Sequence, residues 1–100
     1  MKLIILLTSI VSLLISASFD CTKASTKIEK SICKDKRLNN LDYLLGKNYN
    51  FILKTLNKPY RYEFILAQPE WITKRNMCKS VECIEQSYTS RMDTYKKLIH

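Results

Sequence analysis

The stretch Leu38–Leu56, LNNLDYLLGKNYNFILKTL, sets Leu38, Leu41, Leu45, Tyr49, Ile52 and Leu56 at spacings of three and four. Side chains at those spacings share one face of an α-helix, so the stretch predicts an amphipathic helix of about 20 residues. Asp35, just ahead of it, suits the N-cap, where a carboxylate accepts from free amides and favours the positive helix end. Asn57, Lys58 and Pro59 end the helix, because Pro59 cannot extend the hydrogen-bond ladder. Gly46 lies inside it and is expected to cost about 1 kcal/mol relative to Ala, unless a neighbouring helix comes close there.

Downstream, a third helix is expected to begin near Pro59, a residue suited to a first helical turn, with Phe64, Ala67 and Trp71 along one face. Pro69 interrupts it at a penalty of about 3 kcal/mol. Either the helix kinks there, which is the preferred reading, or it stops near Ala67 and restarts. Trp71, the only Trp, is expected to be the core anchor. After a connection from Cys78 to Cys83, in which Ser80 is a candidate cap, a last helix is expected from about Val81 to Leu98. Its stripe is Ile84, Tyr88, Met92, Tyr95 and Leu98 or Ile99.

Upstream, Thr26 to Glu29 has the spacing of a capping box and opens a short helix to about Cys33, with Ile28 and Ile32 on one face. Phe19 to Ser25 reads as an extended entry. No stretch alternates apolar and polar residues between turn signals, so the expected fold is all-α: a small disulfide-stapled bundle of about four helices, without a sheet.

Lys2 followed by the uncharged, apolar-rich run Leu3–Ile15 has the n-region and h-region of a secretory signal peptide, and is too short for a membrane span. Ser16, Ala17 and Ser18 supply the small residues of a cleavage site, so residues 1–18 are expected to be removed after Ser18. That leaves 19–100 as a single domain with 16 basic and 9 acidic residues, net +7. Asp20 and Phe19 ahead of Cys21 do not form a lipobox, which points to a soluble periplasmic or secreted protein.

Four cysteines in an exported chain are expected to form two disulfides. Of the three pairings, proximity favours Cys21 with Cys33 and Cys78 with Cys83, each bracketing a short connection beside a helix. Zinc is the competing reading. It is disfavoured because eleven residues separate Cys21 from Cys33 and the only His is His100, so neither metal nor other cofactor is expected.

The markers Phe19, Asp20, Cys21, Lys23, Ala24, Ser25, Thr26, Glu29, Ile32, Cys33, Leu38, Leu41, Asp42 and Tyr49 resemble the opening of the lysozyme inhibitor LprI N-terminal domain family. Gln68, Trp71, Arg75, Asn76, Cys78, Cys83, Tyr88 and Arg91 are similar to its closing segment. The resemblance covers nearly all of the chain after the leader. It implies a small disulfide-bonded helical domain exported by bacteria, and an inhibitor of a lysozyme-like muramidase. Pro69 departs from the family pattern where a helix usually continues, as does the missing lipobox.

An enzyme needs a positioned acid, base or nucleophile, and the usual His partner is absent except at the chain end. Glu82 with Glu85, and Glu63 with Glu70, read as solvated helix faces, so catalysis is not expected. Lys and Arg are scattered among acids, and Lys34 to Arg37 contains no aromatic to stack a base, which argues against nucleic acid. The leading expectation is a protein that occludes a muramidase cleft, with Asn76, Lys79 and Ser80 at the crosslinked turn as candidate contacts for paired carboxylates. The alternative is a structural or adaptor module that binds anionic envelope components or another envelope protein.

Overall fold

A computed structural model describes residues 19–99; the expected signal peptide and its cleavage point after Ser18 lie outside these, as does His100. A 3-10 turn at Cys21–Lys23 leads into α1 (Lys27–Lys34), α2 (Lys36–Thr55), α3 (Lys58–Arg75) and α4 (Val81–Ile99). Among the described residues there is no strand, and the fold is the all-α bundle expected, with four helices and two disulfides.

Local chemistry sets each boundary. Thr26 Oγ1 accepts from the Glu29 amide while Glu29 Oε1 accepts from the amides of Thr26 and Ser25, so α1 opens with a complete capping box. Asp35 closes α1 through its amide, which donates to the Ser31 carbonyl, and opens α2 by accepting from the Arg37 and Leu38 amides. One residue thus ends a helix and caps the next. Ser80 Oγ accepts from the Cys83 amide at the start of α4, the capping role expected of it.

The entry differs from the extended segment expected. Asp20 Oδ1 accepts from the Thr22 amide and hydroxyl, which wraps Cys21–Lys23 into a turn. The Cys21–Cys33 disulfide then ties that turn to α1, with the two Cα atoms 5.9 Å apart.

Helix α3 runs without a break across Pro69, which excludes a stop near Ala67 and a restart. Pro69 and Ile65, the residues whose backbone bond is lost, are both exposed, so water can take the orphaned carbonyl. Thr73 Oγ1 donates back to the Pro69 carbonyl.

Arg37 pairs with Glu85, and Asp42 faces Tyr88, so α2 and α4 run parallel. Beside them α3 returns antiparallel: Gln68 reaches Tyr95, while Arg75, two turns further on, reaches Tyr88. Helices α2 and α4 pack together most extensively, α1 lies on α2, and α3 touches both more lightly. Ile28, Ile32, Leu38, Leu45, Ile52, Phe64, Ile84, Tyr88 and Tyr95 form the buried core. Tyr49 stacks on Phe64 and Phe64 meets Tyr95 at a tilt, an aromatic run across three helices. Leu98 and Ile99 are exposed rather than part of the stripe.

Candidate functional site

The polar residues that the fold buries lie between α2, α3 and α4. Asp42 is 1% exposed and Arg75 3% exposed. Asp42 occupies a core register position, four after Leu38 and three before Leu45; Arg75 does so on α3, following Phe64, Gln68 and Trp71. Tyr88 lies between them. Its hydroxyl donates to Asp42 Oδ1 at 2.7 Å and accepts from Arg75 Nη1 at 3.1 Å. Arg75 Nη1 is 3.9 Å from Asp42 Oδ1, so the charges offset each other through the phenol more than by direct contact.

Asn76 completes the group. Its side-chain oxygen accepts from Arg75 Nε at 3.1 Å and Nη2 at 2.8 Å. The guanidinium also lies over the rings of Phe19 and Trp71, which adds cation–π attraction. A buried charge with fewer partners is costly, and this one has Tyr88, Asn76, Asp42 and two aromatic rings about it. Burial, with the Asp42 carboxylate next, pushes the Tyr88 phenol far above the ordinary tyrosine range.

A second network stands toward the other end of α3. Gln68 Oε1 accepts from Tyr95 Oη at 3.0 Å and from Arg91 Nη2 at 3.1 Å. Arg91 lies over the Tyr95 ring, and burial raises the Tyr95 phenol as well. Trp71 joins the networks: its indole N–H donates to the Ser87 carbonyl at 3.2 Å, and its edge meets Tyr88 with ring centroids 5.1 Å apart. Trp71 is half-buried and packs against the core, where it fastens α3 to α4.

Two surface depressions flank these networks. The first, about 670 Å³, opens between α2 and α3 and is lined by Tyr43, Gly46, Tyr49, Gln68, Trp71 and Arg75 among others. Glu29 stands at its edge; the amides at the start of α1 that it accepts from hold its carboxyl below the usual range. The second, about 790 Å³, lies between the start of α1 and the Cys78–Cys83 turn. It brings together the three residues chosen as candidate contacts, Asn76, Lys79 and Ser80, with Met77, Val81 and Lys27.

The three play unequal parts. The Asn76 side-chain oxygen turns inward to Arg75, and the Ser80 hydroxyl caps α4, so both hold the turn in shape. Lys79 is exposed, and Met77 beside it is 72% exposed. The Cys78–Cys83 disulfide spans the turn with Cα atoms 5.6 Å apart. Periodicity passed over Met77 because an apolar residue in a turn belongs to no stripe. It passed over Asp42 and Arg75 because a stripe is counted in apolar residues, although both were quoted as markers of the resemblance.

Among the described residues, no group of three or more His, Cys, Asp or Glu could hold a metal ion. Likewise no described helix is long and apolar enough to cross a membrane. No protein-family model matches the chain, and no solved structure matches it significantly. In an alignment of 81 positions that covers 75% of its length, the chain is 30% identical to Lipoprotein LprI of Mycobacterium tuberculosis and of Mycobacterium bovis. It spans 39% of the length of those proteins. The chain is thus distantly similar to the LprI lipoproteins, and with its two disulfides it is consistent with a place in the cell envelope or beyond it.

Proposed function

We propose that the chain is a non-catalytic envelope protein that binds a lysozyme-like muramidase and inhibits it, with the Cys78–Cys83 turn as the contact surface. The observation that carries the choice of surface is the composition of the groove beside that turn. It has Lys27 and Lys79 on its walls and no Asp or Glu, and the apolar side chains of Met77 and Val81 stand exposed at its edge. Glycosidase clefts work through paired carboxylates. A disulfide-closed turn that presents an ammonium group next to an apolar side chain complements such a cleft in charge. The crosslink and the Ser80 cap pre-order the turn, which lowers the entropy lost on binding. The inhibitory reading itself rests on the distant similarity to LprI and on the family resemblance.

Charge narrows the target. The chain carries a formal net +8 at pH 7, so a strongly cationic muramidase would not be steered toward it, and a less basic one is the better candidate. The test is a muramidase assay titrated with the oxidised protein across several lysozyme classes. Inhibition is expected at near-stoichiometric ratios, weakened at least tenfold by Lys79→Glu. No inhibition of any class at stoichiometric excess would sink the proposal.

One observation favours the adaptor reading as a second candidate. Helix α3 exposes Tyr62, Ile65 and Leu66 on the side away from Phe64, and contiguous exposed apolar surface marks interaction sites. Retention on envelope fractions, tested by pulldown at low and high salt, is the measurement; no retention at low salt would count against it.

A further inference from the structure

The chain has a single glycine, and it stands in the interior of α2. Its backbone does not call for glycine, since no described residue has a positive φ. In a helix interior glycine is less favourable than alanine, for entropic reasons. A close approach by α3 would account for it, but α3 lies only lightly on α2. What borders Gly46 is the cleft of about 670 Å³ between the two helices. The missing side chain keeps that cleft open.

Its lining combines two kinds of surface. Rings of Tyr43, Tyr49, Trp71 and Phe19 form walls, and Asn50, Lys47 and Gln68 add polar groups. Gln68 uses its oxygen on Arg91 and Tyr95, which leaves its amide N–H groups as donors. The Tyr43 hydroxyl and the Asn50 amide make no hydrogen bond among the described residues. Arg75, at the inner end, is already offset by Asp42 and shared with Tyr88 and Asn76, so the cleft does not demand a strongly anionic ligand. A purely apolar ligand would leave the amide and hydroxyl groups dry and unpaired.

A pyranose ring has the matching shape: C–H bonds on its two faces to lie on aromatic rings, and hydroxyls around its edge to meet amides. The volume falls within the range of ordinary small-ligand sites. From this juxtaposition we infer that the α2–α3 cleft binds a short pyranose oligosaccharide, with Gly46 as its opening. The site is separate from the crosslinked turn and does not depend on muramidase inhibition.

Trp71 is the only Trp and lines the cleft, so its emission reports occupancy directly. The oxidised protein is titrated with chitotriose and with maltotriose to millimolar concentration. A saturable change in Trp71 emission with at least one of them is expected. Gly46→Leu, which fills the opening with a good helix former, is expected to keep its helical signal and thermal midpoint and to weaken binding at least tenfold. Asn50→Ala, an exposed change that leaves the core untouched, is expected to weaken it several-fold. No saturable change with either sugar, or unchanged affinity in both variants, overturns the inference.

Discussion

Asp42 shows how one polar residue in an apolar stripe can set the arrangement of three helices. It stands where Leu38 and Leu45 make a core position, yet it accepts from Tyr88 on α4 and lies near Arg75 on α3. Removing it leaves the Arg75 guanidinium buried without its counter-charge. Asp42→Ala is expected to lower stability by about 3 to 5 kcal/mol in denaturant titration, the usual result of breaking a buried pair. A loss below about 1 kcal/mol would mean that the charge is not enclosed as described. Tyr88 adds a pH dependence. Its folded pKa, like that of Tyr95, lies above the ordinary value near 10, so the native state holds these protons more tightly than the unfolded chain does. That stabilisation is fully present below about pH 10 and is lost as pH rises beyond it. Absorbance titration of the six tyrosines is expected to show at least two that ionise only as the far-UV helical signal collapses. Six titrating together near pH 10, in a chain that stays folded, would contradict the buried phenols.

At the scale of the elements, capping was readable and packing was not. Thr26 with Glu29, Asp35 and Ser80 all cap as their positions in sequence predicted, because a cap is satisfied by amides two or three residues away. Pro69 is the contrary case. Local chemistry left a kinked helix and a broken one both open, and α3 stays continuous because Phe64 before the proline and Trp71 after it both pack inward. The missing bond falls on the exposed side. Pro69→Ala restores that bond without touching the core, and it is expected to raise stability by up to about 3 kcal/mol. A thermal midpoint that falls in this variant would show that the proline ring has a packing role.

For the molecule as a whole, the two disulfides act on different parts. Cys21–Cys33 ties the entry turn to α1, an eight-residue helix of a length that is marginal on its own. Cys78–Cys83 closes a short turn between two long helices that Trp71 also fastens together. Replacing Cys78 and Cys83 with Ser is expected to lower stability by about 2 kcal/mol with the helical signal retained, and replacing Cys21 and Cys33 by about 3 kcal/mol. Loss of all helical signal on removing Cys78 and Cys83 would show the turn to be a folding requirement and not a brace. By itself the sequence determined the all-α class, the bounds of the first, second and last helices to within a residue or two, and the caps Thr26, Asp35 and Ser80, and it favoured the nearest-neighbour cysteine pairing. Each of these depends on groups close together in the chain. Only the tertiary structure decided that α2 and α4 run parallel with α3 returning beside them, that Asp42, Tyr88 and Arg75 meet, and that Gly46 borders an open cleft. Those features join residues tens of positions apart, and no local spacing records which helix faces which. Packing likewise separates the candidate contacts at the crosslinked turn: Asn76 turns in to its neighbour Arg75 because Asp42 and Tyr88 hold that guanidinium in the interior, while Lys79 and Met77 stay in solvent.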